Sequence, residues 1–104
     1  MSSAVHPVAY AVKTATVSNA AKAISHADFG FTADQLAAAD HAIISVNAEG
    51  VFATWEGTDP TTSLGHYLAA THAPFVVRGR NVANLKFIRA GSNDATVSIT
   101  LEKY

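Results

Sequence analysis

In "DATVSITLEKY" (residues 94–104), Ala95, Val97, Ile99 and Leu101 alternate with Thr96, Ser98, Thr100 and Glu102. A period of two sends the first set to one face of a strand and the second to the other. The stretch predicts a half-buried strand, apolar inside and hydroxylated outside. Upstream, "NLKFIRAG" (84–91) predicts its partner, with "GSND" (91–94) as the hairpin turn. "AIISVN" (42–47) and "VFATWEG" (51–57) predict another hairpin across "AEG" (48–50), and "FVVRG" (75–79) a strand ended by glycine. "VAYAVKTATVS" (8–18), β-branched and threonine-rich, predicts a long strand. One window, "TADQLAAAD" (32–40), favours a short helix, with Thr32 as cap and Asp34 in the first turn. Closely spaced strands with Gly, Pro and Asx turns imply an all-β fold. We expect a single antiparallel β-sandwich over residues 1–104, jelly-roll-like, with one short helix near 32–39 plugging an end. Residues 1–7 read as a flexible arm, because Pro7 prevents regular pairing there.

At 104 residues the chain is one domain's length. Only 14% of it is charged, against roughly 25% in an average soluble domain. Such a surface suits a protein that packs against neighbours. Seven basic and eight acidic residues form no basic cluster, so no direct nucleic-acid contact is expected. Absence of cysteine removes disulfides and thiolate chemistry. The opening "MSSAVHPVAY" does not read as a secretory leader, and no run approaches the ~20 apolar residues of a membrane span. We expect synthesis in the cytoplasm and no membrane partner.

The densest chemistry lies in "WEGTDPTTSLGHYL" (55–68), which holds the only tryptophan. Ser63 and His66 lack a nucleophile elbow, and Glu56 and Asp59 stand where turn formation already accounts for them. Asp59 before Pro60 can form an Asx-turn, while Gly57 and Gly65 permit positive φ. The stretch reads as strand, turn and re-entry. His66 and His72 on one continuous strand would stand about 20 Å apart, and no His-x-His pair exists, so no metal or other cofactor is expected. "DFG" at 28–30 lacks the other kinase motifs; Phe29 and Phe31 read as packing between helix and sheet. Trp55 reads as core or interface, beside Phe52, Phe75 or Phe87. A sugar-binding face of Trp55, Tyr67 and Tyr10 is the alternative.

The order "ATWEGTDPTTSLGHYLAA…NLKFIRAGSNDATVSITLEKY" resembles small proteins encoded by tailed bacteriophages and prophages. The resemblance covers residues 42–104 and rests on the Gly-x-x-Pro-Thr turn, the Gly-His-Leu-like element, and the "FIRAG" and "DATVSIT" strands. It departs at "THAP" (71–74), where relatives more often carry a Gly-Asp turn. The resemblance implies a non-enzymatic virion protein, of the capsid decoration or cement type, that binds across major capsid protein subunits. Another small head or tail component is a further form of the same reading. It implies synthesis in the host cytoplasm, a place on the capsid surface and a homo-oligomer, with a trimer suiting three-fold positions. The candidate contacts are then Tyr10 in the arm Ser2–Tyr10, Thr58, Asp59, Thr61, Thr62 and Leu64 in the loop, and Arg78 with Arg80. Arg89 is expected to pair with Glu56. A carbohydrate-binding or adhesion module built on Trp55 and Tyr67, and a histidine-ligated metal enzyme, are the competing expectations.

Overall fold

Every second residue from Ala95 to Leu101 is fully buried in the computed structural model, which describes residues 6–104. The first five residues of the expected arm lie outside the described residues. Eight strands run in chain order: β1 (Val8–Val17), β2 (Lys22–Ala23), β3 (His41–Asn47), β4 (Val51–Thr54), β5 (His66–Leu68), β6 (Phe75–Arg78), β7 (Lys86–Arg89) and β8 (Ala95–Lys103). They form two four-stranded antiparallel sheets, ordered β1-β8-β3-β6 and β2-β7-β4-β5. That order is the jelly roll, in which the chain passes back and forth between two facing sheets.

This topology corrects both expected hairpins. β3 and β4 lie in different sheets, as do β7 and β8. "AEG" and "GSND" are corners that carry the chain across the sandwich. β8 already bonds β1 on one side and β3 on the other, so it has no edge left for β7. The corners are joined: Ala90 N–H donates to the Gly50 carbonyl at 3.0 Å, and Asn93 Nδ2 to Glu49 Oε1 at 3.2 Å. Ala48 takes the positive φ of 69° that the first corner requires. Among the described strands, only β4 and β5 are consecutive and in one sheet. The "WEGTDPTTSLGHYL" stretch is therefore the true within-sheet reversal.

The helix α1 (Ala33–Ala38) forms as expected, and Thr32 caps it with a full capping box. Thr32 Oγ1 accepts from Gln35 N–H at 3.1 Å, while Gln35 Oε1 accepts from Thr32 N–H at 3.0 Å. A second helical segment was not expected: a 3-10 helix over Gly79–Asn84, which buries Val82. Asp40 N–H donates to the Glu102 carbonyl and Gly79 N–H to the Asp40 carbonyl. These bonds seat both helical segments at the end of the sandwich where β3 begins. Phe29 fills the core beneath, stacked with Phe31 at 6.4 Å and tilted against Phe87 at 6.1 Å. Both contribute the large buried area on which a chain this rich in alanine depends.

Candidate interaction surface

Strand register assembles a flat array on the outer face of the first sheet. Val12, Thr100, Ile43 and Val76 stand side by side across all four strands. Thr14, Ser98 and Ser45 form the next row, and Thr16, Thr96 and Asn47 the one after. These rows carry no charged side chain. Val12 and Val76 are 63% and 51% exposed, and Thr14 Oγ1 lies 2.8 Å from Ser98 Oγ. Beyond the apolar row, Glu102 and Arg78 stand on either side of His41 and make a charged border. A face of β-branched and small hydroxyl side chains loses little rotamer entropy on contact and desolvates no ion. It can press closely against another protein.

The loop residues are brought together but are largely occupied with each other. Glu56 Oε1 accepts from Thr58 N–H at 3.0 Å and Oε2 from Thr58 Oγ1 at 2.9 Å. Those bonds, the side-chain one first, hold the Glu56 carboxyl below its ordinary range. Asp59 does not make the expected Asx-turn; its Oδ1 pairs with Lys86 Nζ at 2.8 Å. Thr61 and Leu64 close a tight turn through reciprocal backbone bonds of 2.9 and 3.2 Å. Thr62 is exposed at its tip, and Leu64 is 49% exposed. Ser63 N–H bonds Thr61 Oγ1, not His66.

Tyr10 stands apart from that loop. It occupies a bulge in β1, donates its hydroxyl to the Gln35 carbonyl and lies under the Lys103 ammonium, 4.9 Å from the ring centroid. That arrangement ties β1 to α1. Arg78 ends β6 and Arg80 lies in the 3-10 helix, and both are exposed. Arg89 does not reach Glu56; it pairs with Asp94 at 2.7 Å and so braces the β7–β8 corner. Sequence separation decides this, since Asp94 is carried back by the corner itself.

Trp55 and Tyr67 do not share a platform. Trp55 stacks on His66 at 4.6 Å, whereas Tyr67 tilts against Phe52 at 5.6 Å on the opposite side of the strand pair. His72 stacks on Phe75 in the turn after β5. Among the described residues, no three His, Cys, Asp or Glu side chains are placed to hold one metal ion. No helix of the described residues is long and apolar enough to cross a membrane.

The outer face of the first sheet escaped the sequence reading as a site. Its signal was present in Thr14-x-Thr16 and Thr96-x-Ser98-x-Thr100, hydroxyls on one strand parity. What the sequence withholds is that β1, β8 and β3 lie side by side. No protein-family model, no curated protein and no solved structure matches the chain.

Proposed function

We propose that the protein is a non-enzymatic structural component of a tailed-phage virion, most simply a capsid decoration protein that binds across major capsid protein subunits. The observation that carries this reading is the set of three charge-free rows on the outer face of the first sheet. At about 4.8 Å between strands and about 6.6 Å between rows, one row of four side chains and two rows of three give a patch of about 300 Å². A stable free pair of proteins buries about 800 Å² per partner. The patch is thus too small to hold one partner firmly, and it suits a lattice in which many copies bind together. Repetition turns weak contacts into lasting attachment, with no need for a larger interface. Homo-oligomers of the protein would multiply the patch in the same way. The jelly roll adds support only by analogy, since capsid proteins, lectins and metal enzymes all use it.

Quantitative mass spectrometry of purified virions, read as the ratio of this protein to the major capsid protein, tests the proposal. Near-equal copy number is the expected result. A handful of copies would move the protein to the neck or tail, and absence from particles would overturn the reading. A Ser45→Lys, Ser98→Lys variant should fold normally by circular dichroism yet leave the particle, because it places two charges in the middle row.

A further inference from the structure

The β4–β5 loop borders a groove of about 370 Å³, lined by Thr54, Trp55, Glu56, Thr58, Leu64, Gly65 and His66. That volume lies within the roughly 300–1,000 Å³ of small-ligand sites. Its walls differ in chemistry. The Trp55–His66 stack, with ring planes at 16°, gives a flat aromatic side, and half-exposed Leu64 gives an aliphatic one. Glu56 adds a carboxylate already fixed in place by Thr58, each oxygen using one of its acceptor positions. Lys86, whose charge also acts on Glu56, has its ammonium committed to Asp59 at 2.8 Å.

We propose that this groove receives an arginine side chain of a partner protein, its guanidinium forked onto Glu56 and its aliphatic stem held between Leu64 and the aromatic stack. A planar, weakly hydrated guanidinium matches the two oxygens of a carboxylate, which an ammonium does not. An anion would meet the ionised Glu56. A sugar would need hydroxyl partners and an open ring face. Here Thr54 Oγ1 already donates to the Thr58 carbonyl, Thr58 Oγ1 is spent on Glu56, and His66 covers a face of Trp55. The site stands whether or not the partner belongs to a virion.

The sole tryptophan reports on its own groove. Purified full-length protein would be titrated with N-acetyl-arginine methylamide, following Trp55 fluorescence and the His66 ring resonances by NMR. Saturable change in both, with a millimolar Kd, is expected. The lysine analogue should bind about tenfold more weakly, as should the arginine probe to Glu56→Gln. Glu56→Gln keeps an acceptor for the Thr58 N–H, so the loop should hold its shape; Leu64→Ala provides a second variant that leaves the carboxylate untouched. No saturable response, equal binding of the lysine analogue, or undiminished binding by Glu56→Gln would each overturn the proposal. A response to soluble oligosaccharides but not to the arginine probe would overturn it in favour of a sugar site.

Discussion

Gly65 is the residue on which the β4–β5 reversal turns. Its φ is 131°, and a Cβ built there would lie 3.1 Å from the Ala53 carbonyl oxygen. Neither the strained backbone nor the backbone contact can relax cheaply. Gly65→Ala should cost about 1–3 kcal/mol, read as a lower denaturation midpoint at unchanged slope. Gly57→Ala is the control: its φ is 104°, but the added methyl meets nothing within 4 Å, so its cost should be the smaller. Tyr10 makes a prediction of the opposite kind. Burial, and after it the nearby Asp40 charge, raise its pKa above the ordinary 10.0. The fold therefore favours the neutral phenol over the phenolate. The corresponding stability is complete below pH 10 and is lost as pH climbs through the raised folded value. Tyr10→Phe should flatten that alkaline decline in a series of urea melts at rising pH, while losing the bond to the Gln35 carbonyl.

Strands and corners obey a logic that single residues do not reveal. β8 was legible from its alternation alone, and α1 from Thr32 and Asp34, because both are local patterns. The β4–β5 loop was legible from Gly57, Pro60 and Gly65. The corners were not, since "AEG" and "GSND" carry the same turn residues that a hairpin would use. Whether such a turn keeps the chain in one sheet or sends it to the next depends on which edge is free, and that is decided by strands far away in sequence. The arginine groove was hidden for a related reason: Trp55 and His66 meet only because Ala53 and His66 pair across β4 and β5. Coupling between the corners is measurable. A double-mutant cycle on Glu49→Ala and Asn93→Ala should give a coupling energy of about 0.5–1 kcal/mol, as for an exposed charge-assisted bond. A value of zero would mean that the side-chain bond adds nothing to the backbone bond between Ala90 and Gly50.

The described residues span 52 × 27 × 20 Å and enclose a core shared by two sheets. Few of its pairings are local, so folding should be slow for a domain of this size, on the order of milliseconds to seconds. Stopped-flow refolding followed through Trp55 would check this, and microsecond folding would contradict it. The place of β8 has a further consequence, felt while the chain is being made. The first sheet is built around the strand that leaves the ribosome after all the others, with β1 and β3 waiting on either side of an empty slot. Until β8 arrives, neither can bond the other, and both present open edges to every nascent neighbour on the polysome. A ribosome-bound chain halted at Asn93 should remain open to protease, whereas one extended far enough to free Tyr104 from the exit tunnel should become resistant. The time taken to translate from β3 to β8 and beyond would then set how long those edges stay open.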